Sequence, residues 1–208
     1  VEEGRAERMP WLEARGDAPL YVAPQSVLDA IAGYHLHRGI LGAGEVPAGI
    51  DVDALPAGPL RLPVLVGLSN HDNVGGIFRN AAAFGAAAVA LDKGTADPFY
   101  RKAIRVGVGA PLLVPALRVE DAVTLVEALV ARTITVYALS PSATATLGTT
   151  PLAARAAFLL GTEGPGLPAP LLAAAQPLAI PIAPGFDSLN VATAGAIVLH
   201  QHAQQHGL

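Results

Sequence analysis

Short, unbroken apolar runs recur along the chain from about Leu60 onward, separated by segments that contain polar and small residues. Such runs are typical of strands that are buried on both faces, as in parallel sheets. Six runs predict strands, at Pro63–Leu68, Ala88–Leu91, Leu112–Val114, Ile134–Leu139, Phe158–Leu160 and Leu178–Ile180.

The segments between these runs show the spacing or the end signals of helices. They predict helices at Gly75–Phe84, Tyr100–Val106, Val119–Ala131, Pro168–Ala174 and, at the end, from about Asn190 to Gln204. This alternation predicts an α/β fold with an open, mostly parallel sheet of about six strands flanked by helices. Ligands of such sheets bind at the carboxyl ends of the strands.

The first 60 residues lack this regular alternation of apolar runs and helical segments. Leu20–Val22 is a short apolar run that predicts a strand, and Ser26 is placed to cap a helix that ends near Gly33. Residues 41–60 are rich in Gly, Pro and Ala without periodicity, which predicts a linker.

Charge divides the chain in a similar way. Residues 1–55 hold nine acids and four bases, whereas residues 56–208 hold eight acids and nine bases. We therefore expect an N-terminal segment with its linker at residues 1–55 and the α/β domain at residues 56–208. A local basic cluster in the second part suits contact with phosphates. Its members are Lys93, Arg101, Lys102 and Arg105.

Composition narrows the classes of protein further. The chain is 52% apolar, enough for a large core, and it has no Cys, which excludes disulfides and cysteine nucleophiles. No apolar stretch has the ~18–20 residues needed to span a bilayer, so we expect a soluble, cytoplasmic protein without membrane contact. The histidines lack a metal-binding spacing, so we predict no metal site.

A first candidate segment, Ser69–Asn80, follows a predicted strand and opens a helix. Its glycines let the backbone approach a partner closely, and either Asp72 or Asn73 can cap the helix. Arg79 lies farther inside the helix. A plain strand-to-helix turn with a surface arginine explains this segment equally well.

A second candidate segment, Leu159–Pro168, places a single carboxylate, Glu163, among three glycines and two prolines after a strand. Such a loop can wrap a flat ligand with backbone groups. Its spacing matches neither a phosphate-binding loop nor a dinucleotide fingerprint. A solvated or helix-capping Glu163 is the simpler alternative.

The third candidate segment, Ile180–Ala192, leaves a strand through a Pro/Gly loop and enters a helix of small residues. Ser188–Asn190 stands at the predicted start of that helix. In the simpler interpretation, Asp187 or Ser188 is only its N-cap.

Together, the order and spacing of these segments resemble the SpoU (TrmH-like) branch of the SPOUT RNA methyltransferases over about residues 60–204. The resemblance rests on four motifs: Asn-x-Gly-x-x-x-Arg at Asn73–Arg79, the segment Asp97–Arg105, Gly-x-Glu-Gly-x-Gly at Gly161–Gly166, and Ile-Pro-(x)6-Ser-Leu-Asn-Val at Ile180–Val191.

The resemblance implies an α/β sheet whose C-terminal part forms a trefoil knot, an exception to the usual unknotted topology. It also implies a homodimer, with the site at the subunit interface, that binds S-adenosyl-L-methionine within the knot loops. The cofactor-binding residues implied are Leu160, Gly161, Gly166, Ile180, Ile182, Ser188 and Leu189.

The implied reaction is methyl transfer to a ribose 2′-hydroxyl of structured RNA, either 23S rRNA or tRNA. The catalytic residues implied are Arg79, Asn73, Glu163, Ser188 and Asn190. Because an arginine stays protonated, Arg79 is better suited to contact a phosphate or a developing alkoxide than to act as a base. We expect Asn73 to orient Arg79 or the ribose, and Glu163 to fix Arg79 or Asn190. The RNA-binding residues implied are Arg79, Arg101, Lys102 and Arg105.

Other functions stay open at this point. The enzyme could methylate a base instead of a ribose, or the chain could be a non-catalytic RNA-binding paralogue. A nucleotide-binding oxidoreductase is disfavoured because no dinucleotide fingerprint follows the first strand. Relatives of this kind often carry an N-terminal RNA-binding domain, so we expect residues 1–55 to be its end or its remnant.

Overall fold

A computed structural model of the chain describes residues 1–9, 12, 16 and 18–208. It divides into two compact units, Val1–Glu45 and Val46–Leu208. Within the described part of the chain, no helix combines the length and the apolar character that a membrane span requires.

Among the described residues of the first unit, two α-helices are formed, α1 at Glu3–Ala6 and α2 at Gln25–Ala32. The Asp29 carboxylate of α2 accepts hydrogen bonds from the Leu36 backbone N–H and from the His35 ring, and these bonds lower the pKa of Asp29 to about 2. This carboxylate thereby ties the chain beyond α2 back to the helix.

Two predictions for the first unit are wrong. Instead of a strand at Leu20–Val22, the backbone forms a single parallel bridge, between Glu2 and Ala23. The predicted cap Ser26 lies inside α2, which starts after Pro24 without a side-chain cap. Pro24 explains the start, because its fixed φ suits entry into a helix and no N–H is lost there.

The second unit is built on a six-stranded sheet in which every pairing is parallel, with strand order β3-β2-β1-β5-β4-β6. The predicted class of fold, an open, mostly parallel α/β sheet of about six strands flanked by helices, is confirmed. The strands are β1 at Leu60–Leu65, β2 at Val89–Asp92, β3 at Ala116–Val119, β4 at Thr135–Leu139, β5 at Arg155–Leu160 and β6 at Gln176–Leu178.

Five helices cover the two faces of this sheet. They are α3 at His71–Ala83, α4 at Arg101–Val106, α5 at Ala122–Ala131, α6 at Ala169–Ala174 and α7 at Val191–His206. Alternation along β1 shows how the layers form: Leu62 and Val64 join the core beneath α5 and α6, whereas Leu65 joins the core beneath α3. Both faces are buried, which explains the unbroken apolar runs.

The predicted strand at Leu112–Val114 is wrong. Residues Ala110–Leu112 form a short 3-10 helix after Gly109, and the strand lies at Ala116–Val119. Pro111 favours the helical turn, because its fixed φ suits a first helical position. The apolar run is therefore a turn in which Val114 is buried while Leu112 and Leu113 are exposed, and the apolar pattern alone does not distinguish it from a strand.

The compact second unit begins before the boundary that composition suggests. Ile50, Val52 and Leu55, within the predicted linker, pack against the core of this unit, and the Ile50 N–H bonds the Ala116 carbonyl at 3.0 Å. The division into an N-terminal segment and a methyltransferase domain stays a prediction, as does the trefoil knot.

Candidate functional site

A cavity of about 430 Å³ lies at the carboxyl ends of β4, β5 and β6, the edge at which parallel sheets bind ligands. Three loops form its walls, and most of the side chains are apolar or small. Its lining residues are Leu139, Ser140, Pro141, Leu160, Gly161, Thr162, Glu163, Gly164, Gly166, Leu167, Leu178, Ile180, Ile182, Asp187, Ser188, Leu189, Val191 and Ala194.

The loop after β5 folds into a tight turn that only glycines permit. Thr162 and Gly166 form an antiparallel bridge, and Gly164 and Gly166 have positive φ angles of 97° and 71°. A Cβ on Gly161 would lie 2.7 Å from the carbonyl carbon of Gly166. The backbone thus folds onto itself at the end of the strand and exposes polar groups along the cavity wall.

The third wall is the segment between β6 and α7. It turns at Gly185, whose φ is 90°, and it enters α7 through Asn190. The Asn190 Oδ1 accepts the backbone N–H groups of Ala192 and Thr193, so Asn190 is the N-cap. The alternative of Asp187 or Ser188 as the cap is wrong, and both residues instead line the cavity.

Three predicted catalytic residues meet at the rim of the cavity and form the Asn73–Glu163–Asn190 cluster. Asn73 Nδ2 donates to Glu163 Oε1 at 3.0 Å, and Asn190 Nδ2 donates to the same oxygen at 3.2 Å. Asn190 Nδ2 also lies 2.9 Å from Asn73 Oδ1. Asn73 and Asn190, 117 positions apart, are thereby joined both directly and through their shared acceptor Glu163.

Helix α3 positions Asn73 for this role. Asn70 caps the helix by accepting the Asp72 N–H at 2.8 Å, so the predicted cap at Asp72 or Asn73 is wrong. Because Asn70 satisfies the helix end, the side chain of Asn73 is available to the cluster, where it is only 7% exposed. A buried amide with both ends hydrogen-bonded has a fixed orientation.

Close contacts hold α3 against α7. A Cβ on Gly76 would lie 3.1 Å from the Ala192 Cβ, and Asn80 Nδ2 donates to the Ala192 carbonyl at 2.9 Å. Small residues therefore allow the two helices that carry Asn73 and Asn190 to approach each other.

Arg79 is exposed and makes none of the cluster's hydrogen bonds. It follows Asn73 by six residues, which is a rotation of about 240° around an α-helix. The expected contacts of Arg79 with Asn73 and Glu163 are therefore absent from the described structure. Ser188 also stands outside the cluster, on the cavity wall.

The predicted RNA-binding cations Arg101, Lys102 and Arg105 all lie on α4 and are exposed. Lys102 Nζ forms an ion pair with Asp72 of α3 at 2.9 Å. Helix α4 packs tightly on α3, since a Cβ on Gly75 would lie 2.4 Å from the Ala103 carbonyl oxygen. The cations are thus carried on the same pair of helices as Asn73 and Arg79.

All seven predicted cofactor-binding residues line the cavity. Sequence reasoning missed the wall that follows β4, formed by Leu139, Ser140 and Pro141, and it gave Asp187 no ligand role. The end of β4 carried a usable signal, because a Ser-Pro pair directly follows a predicted parallel strand.

Comparison with known proteins assigns the chain to a family. Residues 61–200 match the SpoU rRNA Methylase family, and the chain belongs to that family. The parallel sheet, with a cavity at the carboxyl ends of β4, β5 and β6, is therefore the fold of a methyltransferase of this family.

Two curated relatives illustrate the similarity. An uncharacterized tRNA/rRNA methyltransferase of Mycobacterium tuberculosis is 40% identical over 193 residues, which are 90% of this chain and 67% of the relative. The 23S rRNA (guanosine-2′-O-)-methyltransferase RlmB of Vibrio vulnificus is 31% identical over 156 residues, 74% of this chain and 63% of that protein. The chain thus spans about two thirds of these relatives' length.

The fold agrees with solved structures. An rRNA methyltransferase from Sinorhizobium meliloti superimposes with a TM-score of 0.78 at 25% identity, covering 98% of this chain and 78% of that chain. The AdoMet-bound form of that enzyme gives a TM-score of 0.75 at 24% identity with the same coverage. These similarities support the architecture over nearly the whole chain.

Proposed function

We propose that the chain is an S-adenosylmethionine-dependent methyltransferase that modifies a ribose 2′-hydroxyl of structured RNA. The observation that carries the proposal is the placement of the Asn73–Glu163–Asn190 cluster on the rim of the cavity. A cofactor site and a rigid polar cluster therefore stand next to each other, as group transfer between two bound molecules requires.

The cavity fits the cofactor in size and chemistry. Its volume of about 430 Å³ is within the range of small-molecule sites. Its apolar walls suit an adenine ring, and the Gly161–Gly166 turn offers backbone donors and acceptors. Its charged lining residues are Glu163 and Asp187, both acidic, which favours a ligand with a positive sulfonium.

Seven residues would hold the cofactor: Leu160, Gly161, Gly166, Ile180, Ile182, Ser188 and Leu189. When bound, S-adenosylmethionine supplies an electrophilic methyl group. The AdoMet-bound enzyme of Sinorhizobium meliloti, which has this fold, supports this assignment by analogy.

The chain's own residues then orient the acceptor. Asn73 and Asn190 are locked by their mutual hydrogen bond, so the cluster presents a fixed surface to the ribose. Glu163 Oε1 is occupied by both amides, and we assign the proton of the 2′-hydroxyl to its other oxygen, Oε2. Arg79 contacts a phosphate or the developing alkoxide, because it does not lose its own proton.

A ribose acceptor is favoured over a base by the Ser188–Asn190 motif with Arg79. RlmB, a relative at 31% identity, is named as a guanosine-2′-O-methyltransferase, which supports the same choice. The exposed cations of α4 support an RNA substrate, since phosphate contacts supply much of the affinity in RNA complexes.

A homodimer is part of the proposal. Phe186, in the loop before α7, is 75% exposed, and Leu189 of the same loop and Ile197 of α7 are also exposed. Exposed apolar side chains at one edge of a site are typical of a subunit interface. A second copy placed there would complete the rim, where Arg79 has no contact with the cluster in the described chain.

Two measurements test the proposal. Calorimetric titration with S-adenosylmethionine should show stoichiometric binding; no binding would favour the non-catalytic paralogue. Total RNA from a deletion strain should then accept labelled methyl groups, and mass spectrometry of nuclease digests should locate them on ribose. Methyl groups on a base would overturn the ribose assignment.

A further inference from the structure

An aromatic pair stands beside the first motif, at the junction of α3 and α4. The Tyr100 ring lies 4.5 Å from the ring of His71, with the two planes tilted by 46°. His71 is the first residue of α3, and Tyr100 immediately precedes α4. Tyr100 is nevertheless 44% exposed, so His71 covers only part of the ring and leaves the rest open to solvent.

Tyr100 lies at the start of α4, where its side chain does not stabilise the helix end. Residue 100 is the N-cap of α4, a position that favours Ser, Thr, Asp or Asn, and Tyr100 makes no side-chain cap. The Tyr100 ring is 44% exposed and is not part of the hydrophobic core of the described chain. Apart from its contact with His71, the Tyr100 ring adds little to the packing, and positions that break a local preference in this way are often functional.

The junction that carries the ring is rigid. Gly75 allows α3 and α4 to touch, since a Cβ there would lie 2.4 Å from the Ala103 carbonyl oxygen. The ion pair between Asp72 and Lys102 bridges the same two helices at 2.9 Å. An aromatic side chain on such a support loses little further freedom when a ligand stacks on it.

The surface near Tyr100 carries positive charge, which is complementary to the phosphates of a nucleic acid. Arg101 and Arg105 of α4 are exposed close to Tyr100 in sequence, and Lys102 offsets the charge of Asp72. On α3, Asn73 of the cluster follows His71 by two residues. A cationic surface with an open aromatic face is the usual means of binding an unpaired base and its phosphates.

We propose that Tyr100, backed by His71, is a stacking platform for one unpaired nucleobase of the RNA, next to the nucleotide that is methylated. This inference rests on the proposed function and adds a requirement to it: the RNA must present an unstacked base at this position. A base inside a duplex is not available to such a ring.

The test measures RNA affinity by fluorescence anisotropy with two labelled probes, a single-stranded oligoadenylate and its duplex with oligouridylate. Replacing Tyr100 by Leu keeps an apolar side chain but removes the aromatic face, so single-strand affinity should fall about tenfold. Tyr100→Phe should bind as the wild type does. Tyr21→Leu, which removes an exposed tyrosine ring of the first unit, is the matched control and should change nothing.

A stacking signal separates the platform from a merely structural role. A 2-aminopurine placed in the single strand should be quenched by the wild type and by Tyr100→Phe but not by Tyr100→Leu. Undiminished single-strand affinity in Tyr100→Leu would overturn the platform, as would an equal loss on the duplex. Normal titration with S-adenosylmethionine shows that the variant is folded. If the wild type does not bind the single strand, the platform fails, whereas the proposed function is tested separately by methylation of total RNA.

Discussion

Asn190 donates through one amide nitrogen to Asn73 Oδ1 at 2.9 Å and to Glu163 Oε1 at 3.2 Å. Its Oδ1 meanwhile accepts the first free N–H groups of α7. A single side chain therefore joins the start of α7 to α3 and to the loop after β5. The Asn190 Oδ1 thus caps α7, whereas the Asn190 Nδ2 holds the cluster together.

These two tasks can be separated by Asn190→Asp. Aspartate caps a helix as well as asparagine does, so the melting temperature should stay close to that of the wild type. It cannot donate to Glu163, and its charge repels that carboxylate, so kcat/KM for methyl transfer should fall about a hundredfold. Thermal unfolding and a single-turnover methylation assay measure the two effects.

Asn190→Ala is the companion variant. It loses the cap as well as the donor, which should cost about 1 kcal/mol of unfolding free energy. Wild-type activity in Asn190→Asp would show that donation to Glu163 and Asn73 is not needed for catalysis.

The sequence alone was sufficient to predict the architecture of the sheet, but not the residues at which each strand and helix begins and ends. Five of the six strands overlap apolar runs of the sequence, because both sheet faces are covered, whereas the run Leu112–Val114 is a turn and β3 follows it at Ala116–Val119. The cavity walls after β5 and β6 could be predicted, because loops rich in glycine follow both strands in the sequence. The pairing of Asn73 with Asn190 does not, because it depends on how α3 packs on α7.

Arg79 provides a second prediction. Its side chain is exposed and has no recorded partner in the described chain, so Arg79→Ala should leave the melting temperature and the affinity for S-adenosylmethionine nearly unchanged. Methylation should fall at least a hundredfold if the arginine stabilises charge during transfer. Arg79→Lys, which keeps the charge but loses the planar guanidinium, should recover only part of the rate. Full activity in Arg79→Ala would remove Arg79 from the site.

The turn after β5 provides a third prediction, for Gly161→Ala. The new Cβ would lie 2.7 Å from the carbonyl carbon of Gly166 and from the Leu167 nitrogen. Backbone atoms cannot rotate away, so the turn must shift and the affinity for S-adenosylmethionine should fall at least tenfold. Gly148→Ala is the matched control, because a Cβ on Gly148 meets nothing within 4 Å. Equal affinities in the two variants would contradict a role of this turn in binding.

The last prediction concerns pH and a buried contact at the other end of the sheet. His202 of α7 is fully buried, with Nε2 donating to the Ala153 carbonyl at 3.0 Å and Nδ1 accepting from Arg61 Nε at 3.2 Å. Both nitrogens are used by the neutral ring, and a proton on Nδ1 would face the guanidinium of Arg61. Burial, followed by the charges of Arg61 and His206, lowers the pKa of His202 from 6.5 to about 4.

Because the unfolded chain binds this proton more readily, the contribution of His202 to stability is complete above pH 6.5 and is lost as the pH falls toward 4. Across that window the free energy of unfolding should drop by about 1.4 kcal/mol per pH unit from this residue. His202→Gln can accept from Arg61 and donate to Ala153 without titrating, so its stability should fall less steeply over the same range. Urea unfolding of both proteins at half-unit steps of pH measures the difference. Parallel curves would show that His202 is not the buried titrating group.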